Sequence, residues 1–302
     1  MAKLKELINI VGKENYVEDE AELISYSRDG FPGEWHMPEV VVRPETAEQV
    51  SRIMKFANKN KIPVTPRGAG TSLAANSVPV KGGILLDLQK MNKILEISPK
   101  DLQVVVQPGV VYDDLNLALK KYNLFFPPDP GSASVCTIGG MVANNASGMR
   151  AVKYGVTRDY VLKLEVVLPD GSVIKTGSNA MKSSSGYDLV RLFVGSEGTL
   201  GVFTEITLRL RTLPEYITTA LALFDRVDSA ASAVSNIIGS GLVPSAIELL
   251  DKETIKAVCD CGLNPKSEIR NLQSVGAMLL FELHGSKNAV QEDAQKLSKI
   301  CI

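Results

Sequence analysis

The spacing of apolar residues changes several times along this chain, and each change marks an element. Val40, Val41 and Val42 lie between Pro38 and Pro44, a β-branched run that predicts a short strand stopped by proline. Thr46 can cap the helix that follows. Ala47, Val50, Ile53, Met54, Phe56 and Ala57 recur at helical spacing, with Glu48 in the first turn. Residues 62–65 predict a second strand, so the chain opens strand–helix–strand. A short acidic helix is expected earlier, over residues 17–27.

Further on the runs shorten. Strands are expected over 80–88, 94–98 and 102–107, a helix over 111–122, and an extended proline-rich stretch over 125–131. Residues 162–168 and 172–176 predict a hairpin around Pro169-Asp170-Gly171. A short helix over 188–194 leads to a long strand over 201–210 with its polar residues outward. Few helices among many short strands predict an α+β fold, not regular βαβ repetition. Thr212-Leu213-Pro214-Glu215 marks a boundary. After it come a strand (217–224), a helix (229–238), two strands (244–249 and 277–284) and a last helix (288–300), the opening of a second α+β domain. The division expected is 1–213 and 214–302, in keeping with a length of 302 residues.

Composition narrows the function classes. Hydrophobic residues make up 45% and charged residues 22%, an ordinary globular balance. A net charge of -1 gives no field to recruit nucleic acid or an anionic membrane. No apolar run approaches the ~20 residues that span a bilayer. Residues 1–12 carry Lys3, Lys5 and Glu6 and do not read as a signal peptide, so a cytoplasmic location is expected. Cys136, Cys259, Cys261 and Cys301 are too few and too irregular for a disulfide framework and give no iron–sulfur pattern; Cys259-Asp260-Cys261 is a weak metal hint with no second cysteine or histidine pair nearby, and reads first as small residues in a helix.

Candidate chemistry lies in three glycine-rich loops. The first is Pro66-Arg67-Gly68-Ala69-Gly70-Thr71-Ser72. Its glycines let backbone N–H groups approach a phosphate, Arg67 adds charge, and Thr71 and Ser72 add hydroxyls. Taken alone it is equally a tight turn or a phosphate cradle. A Rossmann dinucleotide fingerprint competes, with Asp87 near the expected ribose-binding position. But the third glycine is missing, and residues 74–83 hold Pro79 and two glycines where a helix would be needed. The second runs from Pro127-Pro128-Asp129-Pro130-Gly131-Ser132 on to Thr137-Ile138-Gly139-Gly140-Met141-Val142-Ala143-Asn144-Asn145-Ala146-Ser147-Gly148. Residues 136–155 are dense in Gly, Ala, Asn and Ser, so a large flat ligand can fill the space that side chains leave. The third is Gly195-Ser196-Glu197-Gly198-Thr199-Leu200-Gly201-Val202, between a short helix and a strand.

Together and in this order, the loops resemble the FAD-binding domain of the vanillyl-alcohol oxidase-like (PCMH-type) flavoproteins, in the branch of glycolate oxidase subunits and D-lactate dehydrogenases. The resemblance covers about 26–210 and continues through Ser245-Ala246-Ile247-Glu248-Leu249-Leu250-Asp251. It implies a two-subdomain FAD-binding domain followed by the incomplete start of an α+β, ferredoxin-like substrate or cap domain. It places Pro66, Arg67, Gly68, Ala69, Gly70, Thr71 and Ser72 at the pyrophosphate. Pro130, Gly131 and Ser132 lie along the flavin, and Thr137, Gly140, Ala143, Asn144, Asn145 and Gly148 continue that wall. Glu197, Gly201 and Val202 lie toward the adenosine. Some relatives attach the flavin through a histidine in the first loop. Thr71 occupies that position here, which implies non-covalent FAD.

The activity implied is oxidation of a small 2-hydroxy acid, D-lactate or glycolate, to the 2-oxo acid. Electrons would go to an external acceptor such as an iron–sulfur or electron-transfer flavoprotein partner. Two other readings stay open: a FAD-holding electron-transfer or fragment subunit without its own turnover, and NADPH-dependent reduction of an enolpyruvyl sugar. Such relatives carry a basic, histidine-rich substrate motif late in the second domain, and this sequence reaches Ile302 without one, so no catalytic residue is assigned. His284, at a strand end, and His36, in a loop, read as surface histidines, with catalysis by His284 and a pocket-bordering place for His36 as the lesser alternatives. Glu248, on a strand expected to face the flavin domain, is either functional or half of a buried structural pair.

Overall fold

The triplet Val40-Val41-Val42 is buried on both faces, and its neighbours in the sheet explain why. In a computed structural model that describes residues 3–33, 35–261 and 275–302, the chain divides into two compact units. One comprises Met1–Ser147 and Val156–Thr212, the other Gly148–Gly155 and Leu213–Ile302.

The first unit begins with α1 (Ile8–Val11), β1 (Tyr16–Val17), α2 (Glu20–Ile24), β2 (Val40–Val42), α3 (Ala47–Asn60), β3 (Val64–Arg67) and β4 (Ile84–Asp87). The strands form a sheet in the order β1-β2-β4-β3, with β4 parallel to both β2 and β3. A parallel strand between two others is covered on both faces, hence the unbroken apolar runs of β2 and β4. Thr46 caps α3 by accepting a hydrogen bond from Gln49 N at 3.2 Å. Val50, Ile53 and Ala57 of α3 pack on Val40, Val42, Ile84 and Leu86. The strand expected from residue 80 begins only at Ile84. Gly82 and Gly83 both have positive φ, and Gly82 N closes a turn onto Pro79 O, so residues 79–83 turn before the strand can start.

The rest of this unit contains β5 (Ile94–Ser98), β6 (Gln103–Val106), α4 (Tyr112–Lys120), β7 (Leu124–Phe125) and α5 (Ile138–Asn144). After α6 (Ala151–Tyr154), which belongs to the second unit, follow β8 (Val161–Val167), β9 (Val173–Gly177), α7 (Leu189–Phe193), β10 (Val202–Arg209) and β11 (Arg211–Thr212). The second sheet is antiparallel in the order β5-β6-β10-β8-β9, and β7 pairs with β11. β8 and β9 form the predicted hairpin. Leu115 and Leu119 of α4 and Ile138 and Met141 of α5 share a core with Val104, Leu164, Ile206 and Leu208.

β10 departs from expectation. Its polar residues do not all face outward, since Thr204 and Thr207 are buried. Val202 reaches the core under α3 while Phe203, Ile206 and Leu208 join the core under α4, so this strand ties the two sheets together. Thr204 Oγ1 bonds Glu165 Oε1 at 2.9 Å, which satisfies its buried hydroxyl.

In the second unit, β12 (Tyr216–Phe224), β13 (Ala246–Asp251) and β14 (Ala277–Gly285) form an antiparallel sheet in the order β12-β14-β13. α8 (Val227–Gly239) and α10 (Lys287–Cys301) cover one face, where Ala230, Ala233, Ile237, Val290 and Leu297 pack on Leu279, Phe281 and Leu283. α9 (Lys252–Asp260) adds a smaller cluster of Ile255 with Met278 and Val275. On the other face Ile217, Leu221, Leu223 and Leu280 stay exposed.

Candidate cofactor cleft

The three glycine-rich loops meet. Within the first unit they line one cleft of about 420 Å³. β3 delivers the first loop at its C-terminal end, and the chain turns sharply there because Gly70 has φ +69. A Cβ on Gly68 would collide with Thr137 Oγ1, so the first loop lies directly against the start of the second.

The second loop is largely a helix, which residue composition did not reveal. Thr137 caps α5, its hydroxyl accepting from Gly140 N at 3.3 Å, and the helix ends at Asn145 in the left-handed region (φ 49). The glycines sit inside the helix because its surroundings are close. A Cβ on Gly139 would press into Pro108. The third loop docks onto the end of α5 by backbone bonds, Gly195 N to Val142 O at 3.0 Å and Glu197 N to Ala143 O at 2.9 Å. Glu197 has φ 54, an uncommon conformation for a side-chain-bearing residue, and it leads into Gly198 at φ +75.

Of the residues predicted to hold the cofactor, Pro66, Arg67, Gly68, Ala69, Gly70, Thr71, Ser72, Pro130, Ser132, Thr137, Gly140, Ala143, Asn144, Glu197, Gly201 and Val202 line this cleft. Gly131, Asn145 and Gly148 are not in its lining. Asn145 acts as the helix cap and its side chain accepts from Arg158 N at 2.9 Å. Sequence reasoning missed Asn76, Ser77, Pro108, Cys136 and Gly139, which also line the cleft. Pro108 lies in the turn Val106-Gln107-Pro108-Gly109-Val110, inside the span of about 26–210 over which the sequence resembles the family. Asn76 and Ser77 carried no signal of their own.

Residues 38–177 match the family described as FAD binding domain, and residues 213–302 match FAD linked oxidases, C-terminal domain. The chain thus carries matches to both of these domain families, one after the other. It is 42% identical to glycolate oxidase subunit GlcD of Bacillus subtilis (strain 168) over 98% of this chain and 62% of that protein. To mitochondrial D-lactate dehydrogenase [cytochrome] of Arabidopsis thaliana it is 42% identical over 88% of this chain and 45% of that one. The chain thus spans less than two thirds of the length of these relatives. Among solved structures, alkyldihydroxyacetonephosphate synthase superposes with a TM-score of 0.84 at 22% identity, over 99% of this chain and 58% of that one. p-Cresol methylhydroxylase superposes at 0.83 and 20% identity, over 99% and 63%. These two share the fold.

The lining of the cleft, most of it within the FAD binding domain match, suits FAD. Beyond its chain neighbours and the backbone of its own helix, a Cβ on Gly140 would meet only Thr137 Oγ1, at 3.3 Å, so glycine keeps open a surface that a flat ligand can cover. Cys136 forms part of the wall, and burial pushes its thiol pKa up, which keeps it protonated.

The second unit holds a polar cluster that corrects one expectation. His284 is buried, not a surface histidine, because α6 lies against the end of β14. Tyr154 Oη is 2.8 Å from His284 Nδ1, and Lys153 Nζ donates to His284 O at 2.5 Å. His284 Nε2 lies 2.8 Å from Glu282 Oε1, without the alignment of a full hydrogen bond. Arg150 donates to the same carboxylate, Nε to Oε1 at 2.9 Å and Nη2 to Oε2 at 3.4 Å. Burial pushes the His284 pKa down, the charges of Arg150 and Lys153 push the same way, and Glu282 opposes them. Burial pushes the Glu282 carboxyl up, but the bonds and charge of Arg150, with His284, hold it below its ordinary value. Glu248 is half-buried on β13, and His36 donates its backbone N–H to Ser27 O at 2.8 Å. Among the described residues, no group of three or more His, Cys, Asp or Glu could hold a metal ion. No helix among them is long and apolar enough to cross a membrane.

Proposed function

We propose that this chain is the FAD-holding part of a dehydrogenase that oxidises a small 2-hydroxy acid, D-lactate or glycolate, to the 2-oxo acid. The observation that carries it is the meeting of three separate glycine-rich loops in one cleft, in a chain 42% identical to a glycolate oxidase subunit. In this reading residues 1–213 form the FAD-binding domain and 214–302 the start of the substrate domain. FAD bound in the cleft would supply the acceptor for a hydride from the carbon that bears the hydroxyl. The chain's own part is to hold and orient the cofactor. Gly68, Ala69, Gly70, Thr71 and Ser72 offer backbone and hydroxyl donors to the pyrophosphate. Pro130, Ser132, Thr137, Gly140, Ala143 and Asn144, which line the cleft, belong to the flavin wall. Glu197, Gly201 and Val202 belong to the adenosine end. Thr71 offers no histidine for attachment, so FAD is held non-covalently.

Four unpaired cysteines support a reducing, cytoplasmic setting, and they give no iron–sulfur pattern. Electrons therefore leave to an external acceptor, an iron–sulfur or electron-transfer flavoprotein partner. A second reading, a FAD-holding electron-transfer or fragment subunit without its own turnover, draws on the chain's span of at most 62% of these relatives. One experiment separates the two. The purified protein is expected to show a flavin spectrum, release its flavin on acid precipitation, and bleach when D-lactate or glycolate is added with an artificial acceptor to follow turnover. A flavin spectrum that neither acid bleaches supports the second reading. A colourless protein that FAD cannot reconstitute overturns both.

A further inference from the structure

Arg67 belongs to the phosphate loop by sequence, yet its guanidinium is turned under that loop. It is buried, and Nη1 points to two backbone carbonyls, Ser77 O at 3.4 Å and Tyr26 O at 3.5 Å. Its charged carbon lies 5.7 Å from the centre of the Tyr26 ring. The same guanidinium fills the space beneath Gly70, where a Cβ would collide with it. Burial pushes the Arg67 pKa down, while Asp29 and Asp87 favour its charged form. Part of what holds this arginine, Tyr26 and Asp29, is therefore a segment ahead of the family-matched domain, which starts at residue 38.

Tyr26 joins the parts. Its hydroxyl donates to Asp87 Oδ2 at 2.9 Å and accepts from Arg43 Nη2 at 3.0 Å. Asp87 is the strand partner of Arg67 in the β3–β4 register, so ring and register fix the arginine from two sides. Arg43 closes the network, its Nε 3.6 Å from Asp87 Oδ2 and its guanidinium 5.9 Å from the Tyr26 ring. Three residues on, Asp29 accepts from Ser77 Oγ at 3.1 Å. The next residue, Gly30, runs so close to the loop that a Cβ there would stand 2.9 Å from Ser72 O and 3.0 Å from Thr71 O.

We propose that Tyr26 is a positioning residue for the FAD pyrophosphate. It holds Arg67 under residues 68–72, and Arg67 sets the curvature that aims the loop's N–H groups at the phosphates. The arginine supports the loop from below, and the donors to the phosphates are the loop's backbone and hydroxyls. This inference rests on the cleft's being the FAD site.

The full-length protein, stripped of flavin and refilled, tests it. Tyr26→Phe keeps the ring and removes the hydroxyl, while Asp29→Asn removes the charge beside Arg67. Each is expected to weaken FAD about tenfold at a temperature where the apoprotein is fully folded. ADP, which carries the pyrophosphate without the flavin ring, is expected to weaken as a competitor by a similar factor. The apoprotein's unfolding midpoint should move little. Unchanged FAD affinity in both variants overturns the inference. So does a lowered unfolding midpoint with unchanged affinity in the folded protein, which is what a purely structural role predicts. Failure of the wild-type protein to bind FAD overturns the cofactor site itself, and is told apart by its appearing before any substitution.

Discussion

Tyr154 and His284 lie 130 residues apart in sequence, and the tyrosine hydroxyl sits 2.8 Å from the imidazole Nδ1. The rings are 5.7 Å apart, centre to centre. Only one tautomer of a neutral histidine lets Nδ1 accept the tyrosine proton; the other reverses the bond. Either way the neutral ring is the form that burial favours, so His284 connects acidity to the integrity of this cluster.

That connection has a sign. The folded pKa of His284 lies below 6.5, its ordinary value, so the unfolded chain takes up the proton first. The stability it contributes is complete above pH 6.5 and is lost as pH falls toward the lowered folded value. Glu282 acts the same way in a lower window, present above pH 4.5 and lost as pH falls through its own lowered value. Thermal stability should therefore fall as pH is lowered from 7 to 5, and His284→Gln should flatten that part of the curve. A wild-type midpoint independent of pH there would contradict the assignment.

Gly140→Ala should separate binding from stability. Alanine in place of glycine inside a helix stabilises by about 0.5–1 kcal/mol. Yet the new methyl would project into the cleft. The variant is expected to melt no lower than wild type as apoprotein while holding FAD more weakly. Flavin retention on gel filtration, beside apoprotein melting, checks both signs.

Gly68→Ala meets a fixed neighbour instead. Its methyl would strike Thr137 Oγ1, which is held as the cap of α5. Loss of bound FAD is expected, with lower stability of the apoprotein. Thr137→Val, which removes the cap alone, should cost about 1 kcal/mol in chemical denaturation.

Leu115→Ala tests the core that carries the cleft's floor. Leu115 is fully buried beside Ile138 and Met141 of α5. A cost of about 2–5 kcal/mol is expected from urea unfolding, the range for truncating a buried leucine.

Periodicity made α3, α4, α8 and α10 legible, because each shows an apolar stripe against one sheet. It placed the hairpin β8–β9 through Pro169-Asp170-Gly171. It did not reveal α5, because Gly139 and Gly140 are poor helix formers. That helix is held by a cap at Thr137 and by packing against Pro108 and the third loop, which are tertiary facts. Thr204 and Thr207 misled for a similar reason, since a strand between two cores buries residues that alternation assigns to solvent. The cleft itself was legible because glycines mark close approach wherever it occurs. The direction of the Arg67 side chain was not, because it depends on Tyr26, 41 residues earlier in a segment without a motif.

The assignment of Gly148–Gly155 to the second unit means the chain passes between the units three times. A protease cutting between Thr212 and Leu213 would therefore divide the polypeptide but not the cluster that joins Arg150 and Tyr154 to Glu282 and His284. The two pieces should stay associated after nicking, and residues 213–302 expressed alone should lack the partners that neutralise Glu282 and shelter His284. In this molecule the line that separates the sequence and the line that separates the structure do not coincide.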